Sequence, residues 1–235
     1  MHMTIGILGG MGPAATADLM NKIIQRTDAS CDQEHIPMIV DSNTRIPDRT
    51  AAIKGEGASP VAELVKSARR LQEAGADFLI IPCNTAHHFI PDIEKEISIP
   101  IVDMMKETAD LLKAKGVKCA AVLATEGTYL SGRYDRVLGE KGIEALNPSL
   151  GEQKVLMSLI YDYIKSGITE VERLPRQQIE ELVEGLRSRG AEAILLACTE
   201  LPLAFAIMDM YDDNCVDPTL VLAEAAIREA GGKIR

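Results

Sequence analysis

Two cysteines stand at matched places in this chain. Cys83 ends the run Leu79-Ile80-Ile81-Pro82-Cys83 and is followed by Asn84-Thr85-Ala86-His87-His88-Phe89. Cys198 ends Ile194-Leu195-Leu196-Ala197-Cys198 and is followed by Thr199-Glu200-Leu201-Pro202. A continuous apolar run of this length suits a strand buried on both faces, as in a parallel sheet. Each strand then delivers a thiol at its C-terminal tip, beside small polar residues that enter a helix. A free thiol ionises near pH ~8.5, and helix N-termini or neighbouring cations lower that value. Two such thiols on opposite sides of a substrate suit proton transfer with two bases. One thiolate takes a proton from a carbon, the opposite thiol returns one to the other face, and the stereocentre inverts. A lone cysteine ending an apolar strand is usually a small buried hydrophobe, but a pair at matched points of a repeated unit points to function. Cys31, Cys119 and Cys215 have no such counterpart and read as structural.

The repetition extends beyond the cysteines. The offset that carries Cys83 onto Cys198 also carries Gly75-Ala76-Asp77 onto Gly190-Ala191-Glu192, and Ile7-Leu8-Gly9-Gly10-Met11-Gly12 onto Val122-Leu123-Ala124-Thr125-Glu126-Gly127. Ile101-Val102-Asp103 and Val216-Asp217 continue it with the register slipped by one residue. Blocks in order at nearly one offset mean two related halves rather than a short-period array. Under the same offset, Arg49 falls one position short of Lys165. A cation therefore follows the second element of each half, and the pair could clamp a carboxylate, arginine as a fork and lysine as a point charge. Arg45 competes with Arg49 for that role, although Pro47 constrains Asp48-Arg49-Thr50 more.

Other chemistries fare worse. Gly6-Ile7-Leu8-Gly9-Gly10-Met11-Gly12 lacks the spacing of a dinucleotide loop, although Asp41 ends a strand where an acidic ribose ligand could sit. Cys83 with His87 and His88 is a poor zinc site, since adjacent histidines rarely converge and no C-x-x-C accompanies them. There is no G-x-S-x-G elbow. A Schiff-base role for Lys165 stays open, but paired cysteines make it unnecessary.

At 235 residues the chain can bury one large core or two small ones. A net charge of −10 argues against a general binder of phosphate backbones. No stretch reads as a signal peptide or an uninterrupted membrane span. Five cysteines without framework spacing fit a reducing cytoplasm. Strands are expected at Thr4–Leu8, Ile36–Val40, the two cysteine runs, Pro100–Val102 and Lys118–Ala124. Helices are expected at 14–26, from Ser59 as cap to Ala74, near Ala86–Lys95, and at Met104–Lys115, Ser131–Lys141, Glu152–Ser166, Pro175–Arg189 and Pro218–Ala230. Asp41–Thr50 reads as an ordered loop. The alternation predicts an α/β protein of two pseudo-symmetric lobes, each a parallel sheet flanked by helices, with the active site between them. The lobes are expected at 1–101 and 102–214, with the C-terminal helix in 215–235 packing back on the first.

Gly9-Gly10-Met11-Gly12-Pro13, Asn43-Thr44-Arg45-Ile46-Pro47-Asp48-Arg49-Thr50, Pro82-Cys83-Asn84-Thr85-Ala86-His87 and Cys198-Thr199-Glu200 together resemble the aspartate/glutamate racemase superfamily, its aspartate-acting members most closely. The resemblance implies cofactor-independent racemisation of aspartate, with glutamate as a further substrate, in a cytoplasmic homodimer. It implies that Cys83 and Cys198 are the acid–base pair and that Asn84, Thr85 and Thr199 meet the α-carboxylate and amino group. Met11, Arg49 and Lys165 would line the pocket, the cations taking the side-chain carboxylate, and Thr50, Thr125, Thr128 and Glu200 would complete the binding set. No metal, pyridoxal, nucleic acid or membrane partner is implied. Ala197 stands where relatives often carry glycine. Thr4-Ile5-Gly6 lacks the N-terminal signature of cell-wall glutamate racemases. Two other readings remain: a dicarboxylate isomerase or decarboxylase of the same superfamily, and a non-catalytic amino-acid sensor.

Overall fold

The computed structural model describes residues 2–168 and 170–235. The chain divides into two compact units, Met1–Thr108 with Thr219–Arg235, and Ala109–Pro218.

In the first unit, β1 (Ile5–Gly9) leads into α1 (Pro13–Arg26), which has proline in its favoured first turn. Next come β2 (Met38–Ser42), the short α2 (Arg49–Ile53), α3 (Val61–Glu73) and β3 (Phe78–Ile80). A 3₁₀ turn (Thr85–Phe89) runs into α4 (Ile90–Glu94). The sheet is parallel in the order β2-β1-β3, and Ile101 adds a single parallel bridge to Leu79. Alternation along the strands divides the core in two. Ile5, Ile7, Phe78 and Ile80 pack with Leu19 and Ile23 of α1, while Leu8, Leu79 and Ile81 pack with Leu64, Ala68 and Leu71 of α3. Both faces of the sheet are thus covered, which is why its strands read as unbroken apolar runs.

The helix α5 (Met104–Ala114) spans the division between the units. In the second unit, β4 (Cys119–Ala124), α6 (Glu126–Leu130), α7 (Arg133–Glu140), β5 (Glu144–Leu146) and α8 (Leu150–Ser158) follow in turn. A π-helical turn (Leu159–Ile164) continues α8. Then come α9 (Arg176–Ser188), β6 (Ala193–Ala197), α10 (Leu201–Ile207) and β7 (Cys215–Val216). This sheet is also parallel, in the order β5-β4-β6-β7. It repeats the first unit's order, with β7 in the place of the Ile101 bridge. Leu156, Leu159 and Ile160 join Ile179, Leu182 and Leu186 against Ile194 and Leu196 of β6. The last helix, α11 (Pro218–Glu229), belongs to the first unit, where Leu222, Ala223, Ala226 and Ile227 pack beside Ile5 and Phe78.

Several boundaries differ from the sequence reading for physical reasons. The division falls after Thr108 rather than at 101/102, because Met104 is buried with Leu222 and Ile227 in the first unit's core. Cys215 and Val216 pair with β6 and so stay in the second unit, leaving only the helix after them to return. The N-cap of α3 is Pro60 rather than Ser59, whose hydroxyl accepts from Val61 N at a long 3.4 Å. The helix expected over Glu152–Ser166 changes to π-helical winding from Leu159. β5, α2 and α10 are additional short elements.

Candidate active site

Every candidate residue of the first unit lies beyond the C-terminal ends of its parallel strands, and all are buried: Met11, Arg49, Thr50, Cys83, Asn84 and Thr85. The turn after β1 needs glycine where it leaves the strand. Gly10 has φ +92, and a Cβ there would come within 2.4 Å of the Asn43 carbonyl carbon. The segment leaving β2 therefore presses against the glycine turn. Asn43 anchors that segment, its amide donating to Glu63 Oε2 at 3.1 Å and Ser67 Oγ at 3.0 Å on α3. This hydrogen bond, with Lys66 and Arg70 nearby, lowers the Glu63 carboxyl below its usual range. Asp48 then caps α2 by accepting from Ala51 N at 2.8 Å. That cap sets Arg49 at the first helical position, where its guanidinium donates to the Pro47 carbonyl at 3.0 Å and the Ile46 carbonyl at 3.3 Å.

Cys83 lies three residues beyond Ile80, the last residue of β3, and shares an apolar cluster with Met11, Ile46 and Ala86. Its backbone is held by His87. The fully buried imidazole has Nδ1 2.8 Å from the Cys83 carbonyl and accepts the Met104 N–H on Nε2 at 3.2 Å. An acceptor at Nε2 and a carbonyl at Nδ1 together require the neutral ring with its proton on Nδ1. His87 is thus a fixed strut behind Cys83.

The second unit builds its group on the same plan. Cys198 directly follows β6, and Thr199 and Glu200 lead into α10. The Cys198 thiol donates to Glu200 Oε2 at 3.0 Å, and the Thr199 hydroxyl donates to the same oxygen at 3.1 Å. Lys165 closes the π turn, with Nζ 3.8 Å from Glu200 Oε1 and 4.7 Å from the centre of the Tyr161 ring. Burial, then the Glu200 charge, push the Cys198 thiol well above its ordinary value, and Lys165 acts against them. At the end of β4, the hydroxyls of Thr125 and Thr128 lie 3.1 Å apart, both buried. The structure thus places Lys165, Cys198, Thr199 and Glu200 in one contact chain and Thr125 with Thr128 in a pair.

Sequence reasoning did not single out Tyr129 or the Asn43–Glu63–Ser67 link. The Tyr129 hydroxyl donates to the Val122 carbonyl at 2.9 Å and accepts from Ala124 N at 2.8 Å, closing the end of β4. Burial raises its phenol well above the ordinary range. Cys215, read as structural, is buried among apolar side chains of the second unit. Among the described residues, no cluster of three or more His, Cys, Asp or Glu could hold a metal ion, and no helix is long and apolar enough to cross a membrane.

The Asp/Glu/Hydantoin racemase family matches residues 8–226. The broad specificity amino-acid racemase RacX of Bacillus subtilis is 28% identical over 95% of this chain and 96% of its own. The glutamate racemase of Corynebacterium glutamicum is 25% identical over 66% of this chain and 56% of its own. Among solved structures, Picrophilus torridus aspartate racemase superposes with a TM-score of 0.87 at 32% identity, covering 99% of this chain and 96% of that one.

Proposed function

The chain belongs to the Asp/Glu/hydantoin racemase family and is an isomerase, and from that premise we propose that it interconverts L- and D-aspartate, with Cys83 and Cys198 as the two bases. In this reading one cysteine, as thiolate, takes the α-proton, and the other, as thiol, delivers a proton to the opposite face of the same carbon. The observation that carries it is the matched pair of buried free thiols. Each follows the corresponding strand of a repeated parallel sheet, Cys83 after β3 and Cys198 after β6. The likeness to an aspartate racemase over nearly the whole chain supports the substrate.

The carbanion left by the departing proton needs preorganised donors. Asn84, Thr85 and Thr199 supply them beside the two thiols, with Thr50, Thr125 and Thr128 completing the polar lining and Met11 the apolar wall. Arg49 and Lys165 receive the side-chain carboxylate. The reaction routes no step through pyridoxal, a metal or a nucleotide. The enzyme works in the cytoplasm as a homodimer, a state that sedimentation equilibrium reads directly.

Cys83→Ser and Cys198→Ser should each lower racemisation by about 10²-fold or more, the scale of a lost acid or base, while circular dichroism stays unchanged. A single variant with full activity would refute the two-base reading. A broader substrate range is the second reading, favoured by the broad-specificity relative. It is separated by Arg49→Ala and Lys165→Ala. A greater loss with aspartate than with alanine supports the carboxylate clamp, and equal losses support the broader range.

A further inference from the structure

We infer that Glu200 serves to keep Cys198 protonated, so that in the resting enzyme Cys198 stands ready as a proton donor. The inference rests on the racemase reading for its catalytic meaning and on the local geometry for its content.

A carboxylate can only accept a hydrogen bond, so the 3.0 Å contact between Cys198 Sγ and Glu200 Oε2 exists only while sulfur carries its proton. Loss of that proton would set a thiolate against a carboxylate in a buried site, the like-charge arrangement that disfavours ionisation. The carboxylate itself is fixed. Thr199 donates to the same oxygen, Lys165 lies beside the other, and Glu200 is buried at the N-cap of α10.

The groups facing the sulfur oppose one another. The Glu200 backbone N–H and the Lys165 charge favour the thiolate, whereas burial and the Glu200 carboxylate favour the thiol and outweigh them. Tyr129 on α6, whose buried phenol stays neutral, adds no countercharge.

The repeat supplies a separate argument. In the first motif, Cys83-Asn84-Thr85, the position matching Glu200 holds Thr85, which carries no charge. The duplication is therefore broken at one charged residue, placed against one sulfur. For the enantiomer whose α-proton goes to Cys83, Cys198 already holds the proton to be returned. Cys198 supplies the returning proton and is left as the thiolate, and Cys83 is left as the thiol.

The test is the pH dependence of alkylation by iodoacetamide at Cys198, read peptide by peptide by mass spectrometry in the full chain without substrate. Accessibility changes the plateau rate of such a curve, whereas thiol ionisation sets its midpoint. Glu200→Gln keeps an acceptor but removes the charge, so the Cys198 midpoint should fall by about one pH unit or more. Lys165→Gln should move it the opposite way. The alkaline limb of the racemisation profile should shift to lower pH in Glu200→Gln, alongside its labelling midpoint. An unchanged or raised midpoint in Glu200→Gln, or a lowered one in Lys165→Gln, would overturn the inference. Labelling needs no turnover, so these outcomes are distinct from failure of the racemase reading, which would leave the wild-type chain unable to invert aspartate.

Discussion

The His87 ring bridges the Cys83 carbonyl and the Met104 N–H, so two backbone groups depend on one neutral imidazole. Replacing it with phenylalanine leaves both groups without their partner, and each unsatisfied buried group costs about 1–3 kcal/mol. His87→Phe should therefore lose about 2 kcal/mol or more of stability in urea titration, and racemisation should fall as the Cys83 backbone loses its strut. Full activity at wild-type stability would show that the strut is dispensable. At this scale the sequence makes both thiols visible, because each ends an apolar run at one repeated offset, and points to both cations through the same offset slipped by one residue. It does not show what a carboxylate touches. Glu200 read as a substrate ligand, yet its oxygens meet Cys198, Thr199 and Lys165, an arrangement set by side-chain rotation on packed elements.

At the scale of elements, the position of Arg49 depends on the turn after β1 as much as on its own helix. Gly10 at positive φ leaves room for the Asn43 backbone, which is tied to α3 by its side chain. A Gly10→Ala variant carries about 1–2 kcal/mol for the left-handed backbone alone, before the collision with Asn43 is counted. We expect it to lower the urea midpoint and also to raise the KM for aspartate, because the segment carrying Arg49 is displaced. An unchanged KM would detach that segment from substrate binding. Long elements were legible here because burial on both sheet faces writes unbroken apolar runs, and because amphipathic helices such as α3 and α9 keep their period. The short ones were not. α2 is only five residues long, and its one sign is the capping Asp48. The change from α8 to π winding at Leu159 leaves the residue pattern almost unaltered, yet it determines where Lys165 emerges.

For the whole molecule, duplication was legible through its repeated blocks, and two sheets of matching strand order express it. The division after Thr108 was not, since it depends on which core buries Met104. One consequence of burial concerns a thiol in the second unit's core. Burial pushes the Cys215 thiol from its ordinary 9.0 to about 11. A folded-state value raised above the unfolded one gives stability that is complete below the unfolded value and is lost as pH rises through the folded one. The urea midpoint should accordingly fall between about pH 9 and about pH 11, and by less in Cys215→Ser. Equal falls in both proteins would remove Cys215 from that account.

The central claim is inversion at an α-carbon through exchangeable protons, and proton NMR of L-aspartate in deuterated buffer with the reduced protein tests it most directly. Loss of the α-proton signal, with D-aspartate appearing on chiral analysis, is the predicted result. An undiminished α-proton signal after long incubation with protein shown to bind aspartate would contradict it.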